Sequence, residues 1–178
     1  AGNSYGNNVN VFRLYESNPT VIAQQFSIPK EFWGQYVQDL AINGDIIRIL
    51  TSENVINYSI SSGSTSYLSR VSPSDATESH TGFAFYNNNF WEVWANGSNL
   101  YAHDGIRQYS LPSSQTKFED FVESCSGTDG KLYVKTNALL SNEPSSAPYR
   151  AYLYVYNAPT PNQTTLTQSA FYSFTDPI

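Results

Sequence analysis

Short apolar runs that end in turn-forming residues fill most of this sequence, and they constrain the fold more than any other feature. Each run is about the length of one β-strand, and none continues with the 3.6-residue periodicity of a long helix. Four dipeptides that tolerate the positive φ of tight hairpin turns stand between the runs: Asn43-Gly44, Asn96-Gly97, Asp104-Gly105 and Asp129-Gly130. We therefore predict an all-β chain built from hairpins.

Thirteen runs predict strands, at residues 9–15, 20–28, 36–42, 45–51, 54–60, 65–71, 81–86, 89–95, 98–103, 106–111, 131–136, 149–157 and 165–174. One patch, residues 117–123, predicts a helix of one or two turns instead, because Phe118, Phe121 and Val122 have the spacing of a helix face. The Ser- and Pro-containing segment 141–148 predicts a loop that interrupts a hairpin.

A unit of two strands recurs four times along the chain. Each copy has an apolar strand and, after a polar turn, a second strand that carries Tyr or Phe. The copies are 11–15 with 25–29, 46–50 with 57–60, 90–94 with 108–112, and 132–135 with 152–156. Units of this size bury their faces only by packing on one another. This predicts a small β-propeller-like array of three to four blade-sized antiparallel units.

We expect one all-β domain over residues 1–178, with a polar N-terminal segment at 1–8. The last run, within 165–178, is expected to return and complete the first blade as a closing strand. A β-sandwich or jelly roll accommodates the same strands and is the alternative fold.

The composition excludes several classes of protein. The formal net charge is −6, whereas nucleic-acid binding requires a basic surface. No apolar stretch approaches the roughly 20 residues of a membrane span. Charged residues make up only 13%, and the polarity comes from Ser, Thr and Asn, which is typical of secreted or extracellular surface proteins. The start at Ala1 and the lack of Met lead us to expect that a signal peptide has been removed.

Few residues suggest covalent or metal chemistry. Cys125 is the single cysteine, so the chain has no internal disulfide and no cysteine cluster for zinc. His80 and His103 lack the sequence context of a catalytic motif. The carboxylates Glu119, Asp120 and Glu123 are close in sequence and are expected to form a solvated face. We predict no enzyme activity, no cofactor and no metal site.

Three sequons, which begin at Asn57, Asn96 and Asn162, permit N-glycosylation. We therefore expect a glycoprotein if the source has the modifying machinery.

Two pairs of segments resemble blades of the fungal and bacterial fucose-binding β-propeller lectins. Those blades have an Ile-Arg-Val-Tyr strand, an Ile-x-Glu strand, and then a Trp near a glycine. The matching segments are Phe12-Arg13-Leu14-Tyr15 with Val21-Ile22-Ala23-Gln24, and Ile47-Arg48-Ile49-Leu50 with Val55-Ile56-Asn57. The resemblance covers residues 9–62 and, less closely, 82–112.

In that family the Arg and Glu hold sugar hydroxyls while an aromatic side chain stacks on the ring. The resemblance implies that Arg13 and Arg48 take the role of the Arg, and that Trp33 beside Gly34 takes that of the Trp. The Glu position holds an amide in both units, and this departs from the family pattern. The two amides are Gln24 and Asn57.

Aromatic residues near predicted turns also favour carbohydrate binding, because a sugar ring has an apolar face that stacks on an aromatic. Alternation along residues 90–94 places Trp91 and Trp94 on opposite faces, so at least one of them is expected in the core. The predicted ligand-binding residues are Arg13, Arg48, Trp33, Gln24, Asn57 and Trp94.

The sequence as a whole predicts a secreted or surface lectin or adhesin that recognises glycans at several sites and forms a homo-oligomer. The alternative is a structural subunit of an extracellular filament, a pilus or a virion. Surface β-proteins of both classes share this composition, so the alternative stays open at this point.

Overall fold

A computed structural model describes residues 8–15, 17–29, 37–51, 54–71, 82–96, 99–113, 115–126, 130–140, 144 and 150–174. Within these ranges the chain forms fourteen β-strands and no helix, which confirms the all-β prediction. No helix of the described part is long and apolar enough to cross a bilayer. The strands are β1 (Asn8–Tyr15), β2 (Asn18–Pro29), β3 (Val37–Asn43), β4 (Ile46–Thr51), β5 (Val55–Ser59), β6 (Thr65–Leu68), β7 (Gly82–Tyr86), β8 (Asn89–Asn96), β9 (Asn99–His103), β10 (Gln108–Leu111), β11 (Gln115–Ser126), β12 (Lys131–Leu140), β13 (Arg150–Asn157) and β14 (Gln168–Phe174).

In the described part the strands form four sheets in chain order. Sheet 1 is the hairpin β1–β2, sheet 2 is β3–β6, sheet 3 is β7–β10 and sheet 4 is β11–β14. Within each sheet every strand pairs antiparallel with the next strand of the chain. Each of the four units recognised in the sequence lies within one sheet.

The sheets pack face to face in the same order. One apolar core lies between sheets 1 and 2, a second between sheets 2 and 3, and a third between sheets 3 and 4. Representative pairs from the three cores are Val11 with Ile47, Leu50 with Phe83, and Trp91 with Tyr154. Sheets 2 and 3 are therefore covered on both faces. The first strands of the last three sheets also contact one another in succession, β3 with β7 and β7 with β11.

The β7–β8 turn consists of two asparagines in the left-handed region. Asn87 has φ 48° and Asn88 has φ 62°. Positive φ at both central residues of a two-residue hairpin defines a type I′ turn, which follows the right-handed twist of the strands. The β3–β4 turn begins at Gly44, with φ 53°, as the dipeptide Asn43-Gly44 predicts.

The helix predicted for residues 117–123 is wrong, because this segment lies in β11. Its pairing with β12 shifts register between Phe118, opposite Ala138, and Val122, opposite Thr136. An advance of four residues along β11 thus corresponds to an advance of only two residues along β12. This irregularity breaks the two-residue alternation of a strand and leaves apolar residues at spacings that also fit a helix face.

The final run of the chain pairs within sheet 4 instead of returning to the first sheet. Residues 168–174 form β14, which lies beside β13. Just before it, Thr165 makes a parallel bridge with Ser110 of β10. Ser110 N donates to Thr164 O at 2.9 Å, and Leu166 N donates to Ser110 O at 3.0 Å. The predicted closing strand therefore joins sheets 3 and 4 at one edge.

β12 and β13 pair directly with each other. Apart from Pro144, the loop predicted between them at 141–148 lies outside the described residues. Residues 1–7 of the predicted polar N-terminal segment lie outside the described residues.

Candidate binding site around Arg48

Arg48 faces sheet 3 because of strand alternation in β4. Ile47 and Ile49 point toward sheet 1 and belong to its core with sheet 2. Leu50 points the other way and belongs to the core between sheets 2 and 3. Arg48 shares the face of Leu50, so its half-buried side chain lies between sheets 2 and 3.

Two contacts fix the Arg48 guanidinium. Arg48 lies directly opposite Asn57 of β5, and its Nε donates to Asn57 Oδ1 at 2.8 Å. Its Cζ lies 4.1 Å from the centroid of the Phe90 ring on β8, a cation–π contact between two sheets. Phe90 is itself held by Phe85, edge to face, with ring centroids 5.2 Å apart. The guanidinium therefore has a defined plane and a defined position.

A buried carboxylate lies near this arginine. Glu92 of β8 is only 7% exposed. Val71 N is 3.3 Å from one of its carboxylate oxygens and 3.4 Å from the other, and Arg70 Nη1 donates to Thr51 O at 3.3 Å. Burial lowers the pKa of both Arg48 and Arg70, and the negative charge of Glu92 opposes that shift. The three ionised groups thus form one cluster that compensates the burial of Glu92.

No protein-family model and no curated protein matches this chain.

The predicted residues Arg13 and Gln24 occupy the equivalent place in sheet 1. Arg13 of β1 lies directly opposite Gln24 of β2, just as Arg48 lies opposite Asn57. The side chain of Gln24 is exposed. Two successive units thus present an arginine and an amide side by side on neighbouring strands. The predicted partner of Arg13, Trp33, lies outside the described residues.

Trp94, which was predicted to contact a ligand, lies in the core. Trp94 is 1% exposed, and its ring stacks on Tyr101 with centroids 5.9 Å apart and planes at 26°. Trp91 on the opposite face is also 1% exposed and stacks on Tyr109 at 5.2 Å. Alternation correctly placed the two rings on opposite faces, but sheet 3 is covered on both faces, so both are core residues.

Three residues of the cluster are absent from the predicted set: Phe90, Glu92 and Arg70. Alternation in β8 places Phe90 and Glu92 on the face opposite Trp91. No sequence signal shows that this face lies against Arg48 of the preceding sheet.

His103 is the other candidate for chemistry whose side chain the structure describes, while His80 lies outside the described residues. His103 ends β9, and its Nδ1 accepts a hydrogen bond from Gly105 N at 2.9 Å within the β9–β10 turn. Among the described residues, no group of three His, Cys, Asp or Glu side chains is placed to hold a metal ion.

Proposed function

We propose that this chain is a carbohydrate-binding protein of the lectin or adhesin type, acting as a secreted or surface protein, with a site centred on Arg48. The observation that carries the proposal is the fixed guanidinium: Nε is bound to Asn57 and the plane lies over Phe90, while the residue stays half-exposed. A guanidinium held in this way has further N–H donors in a rigid fork.

The chemistry of the three side chains suits a sugar. Vicinal hydroxyls accept two parallel hydrogen bonds from the fork of Arg48. The amide of Asn57 offers N–H donors as well as its carbonyl oxygen, so it can serve hydroxyls in either role. Because Arg48 is already ordered before a ligand arrives, binding loses little side-chain entropy.

Multivalency follows from the repeat. Arg13 and Gln24 give sheet 1 the same cross-strand pair as Arg48 and Asn57. We infer two equivalent weak sites per chain, multiplied further in a homo-oligomer, which together raise avidity for a glycosylated surface. The stacking of the four sheets in chain order supports a propeller-like array over a two-sheet sandwich for presenting such sites.

A glycan array tests this function. The wild-type chain is compared with an Arg13→Ala, Arg48→Ala double variant and with Arg107→Ala as the matched control. Arg107 is exposed in the β9–β10 turn, and its contact with Asp104 comes from its backbone N–H. We expect the double variant to lose the bound glycans and the control to keep them. Binding to no glycan, or equal binding by the double variant, would remove the assignment.

A structural subunit of a filament, pilus or virion is the second candidate function. The observation that favours it is the composition of β14, the outer strand of sheet 4, which has no charged residue and no proline over 168–174. An uncharged edge strand is a template for pairing with another chain. Filaments or shells of the purified protein in electron micrographs would favour this function over the lectin.

A further inference from the structure

Two of the three sequons lie wholly within the described part of the chain, and their surroundings differ. Asn57-Tyr58-Ser59 ends β5, whereas Asn162-Gln163-Thr164 lies in the loop between β13 and β14. The sequon that begins at Asn96 has its other two residues outside the described residues. A glycan is attached to the side-chain amide of the asparagine, and the sequon also needs the hydroxyl of its third residue. The accessibility of these two groups therefore distinguishes one sequon from another.

In the β5 sequon both groups are already engaged. Asn57 is half-buried on the face of sheet 2 that packs against sheet 3, and its Oδ1 accepts a hydrogen bond from Arg48 Nε at 2.8 Å. Ser59 Oγ donates to Asp45 Oδ2 at 2.6 Å. The strand itself pairs on both sides, with β4 and with β6. A glycan on Asn57 would have to lie between two packed sheets, so it is incompatible with this fold.

The Asn162 sequon begins at the corner of a tight turn. Pro161 and Asn162 are the two central residues of this turn, and Gln163 N donates to Thr160 O at 3.1 Å across it. Asn162 has φ 66°. A positive φ is what the third position of a type II turn requires, and proline is favoured at the position before it. Asparagine adopts this conformation more readily than most residues, so the local sequence stabilises a turn with Asn162 at its tip.

One side chain of this sequon holds the turn, and the other two are accessible. Gln163 Oε1 accepts a hydrogen bond from Thr160 N at 2.9 Å. Asn162 and Thr164 are exposed, and no described group hydrogen-bonds their side chains. The main chain is anchored as well, because Ser110 N donates to Thr164 O at 2.9 Å. The amide and the hydroxyl of the sequon are therefore both accessible on a fixed backbone.

We propose that Asn162 is an N-glycosylation site and that Asn57, despite its sequon, carries no glycan in the folded protein. The donor is an oligosaccharide linked through C1 to a lipid pyrophosphate. Asn162 Nδ2 attacks C1 and loses one proton, while the bond from C1 to oxygen breaks and the lipid pyrophosphate leaves with the electron pair. This inference rests on the secreted or surface location in the proposed function, because exported chains meet this donor.

The two sites also differ in their effect on the proposed binding site. A glycan at Asn57 would consume the amide that lies beside Arg48, whereas a glycan at Asn162 leaves both residues unchanged. Asn162 follows β13 of sheet 4, and the proposed site lies between sheets 2 and 3. Glycosylation at Asn162 is therefore compatible with a chain that itself binds glycans.

Site-resolved mass spectrometry of the chain secreted from eukaryotic cells tests the assignment. Peptide N-glycosidase converts each glycosylated asparagine to aspartate, and we expect this conversion at Asn162 and not at Asn57. Asn162→Gly and Thr164→Ala should each abolish it at the Asn162 sequon, and glycine adopts the positive φ without strain. Thr165→Ala is the matched control, because it changes an exposed threonine of the same loop and leaves the sequon intact.

Ser59→Thr separates the effect of the fold from the choice of hydroxyl residue, since it gives both sequons the same third residue. We expect Asn57 to stay unmodified in this variant. Near-ultraviolet circular dichroism from the buried Trp91 and Trp94 verifies that each secreted protein is folded. An unmodified Asn162 in the wild type, or a glycan on Asn57 in folded protein, would overturn the proposal.

The glycan array measures the proposed binding function separately. A chain that binds glycans but has no glycan at Asn162 overturns this inference alone. A chain that is glycosylated at Asn162 but binds no glycan supports this inference and overturns only the proposed binding function.

Discussion

At the scale of single residues, two fully buried threonines differ in whether their hydroxyl groups have hydrogen-bond partners. Thr136 Oγ1 has no hydrogen-bond partner among the described residues. Thr51 Oγ1 donates to Asn54 O at 3.0 Å and accepts from Asn54 N at 2.9 Å. A buried hydroxyl without a partner destabilises a fold, whereas one that closes a turn stabilises it.

We expect Thr136→Val to raise the free energy of unfolding by about 1 kcal/mol, because valine has the same shape without the unmet hydroxyl. Thr51→Val should lower it by about 1 to 2 kcal/mol. Urea unfolding of both variants measures the difference. A loss of stability in Thr136→Val as large as in Thr51→Val would contradict the interpretation.

The resemblance selected Arg48 and Asn57 as candidate ligand-binding residues, but the sequence predicted no contact between them. The structure places the two residues opposite each other on β4 and β5. The contact of Arg48 with Phe90, and the charge of Glu92 beside it, depend on how sheet 3 lies on sheet 2. A pattern of two-residue alternation describes which face a residue takes, but not what covers that face.

Elements of the fold were predictable where turn chemistry and alternation agree. The strands around Gly44 and Gly105 end where the dipeptides predict, and both glycines have positive φ. The strand β11 could not be predicted in this way. Its register shift relative to β12 replaces alternation with a helix-like spacing of apolar residues. Irregular pairing of this kind is set by the partner strand, which the local sequence does not contain.

The β7–β8 turn gives a prediction at the scale of one element. Asn88→Gly should maintain or raise the free energy of unfolding by up to about 1 kcal/mol, because glycine adopts the left-handed region without strain. Asn88→Val should lower it by about 1 to 2 kcal/mol, because a β-branched residue is strained at φ 62°. Thermal unfolding of both variants separates them, and equal stabilities would argue against a type I′ turn.

At the scale of the whole molecule, Tyr156 connects sheet 4 to the end of sheet 3. Its hydroxyl donates to Pro112 O at 2.8 Å. Burial, reinforced by the nearby Tyr154, raises the pKa of Tyr156 above its ordinary value. Because the pKa is raised in the folded state, its contribution is complete below the unfolded pKa of about 10 and is lost as pH rises above it.

We expect Tyr156→Phe to lower the free energy of unfolding by about 1 kcal/mol at neutral pH, since Pro112 O loses its donor. Between about pH 10 and pH 11.5 the wild type should lose stability more steeply than the variant. Urea unfolding across this range tests the difference, and parallel pH profiles for the two proteins would count against the role of Tyr156.

The sheets stack in the same order as that in which they would emerge from the ribosome during synthesis. Each sheet is complete once its own strands have emerged, because strands pair with their neighbours in the chain, and its face is then ready to receive the next sheet. Contacts between nearby residues favour rapid folding. The bridge between Ser110 and Thr165 joins distant parts of the chain. It therefore forms only after the loop that follows β13 has been synthesised.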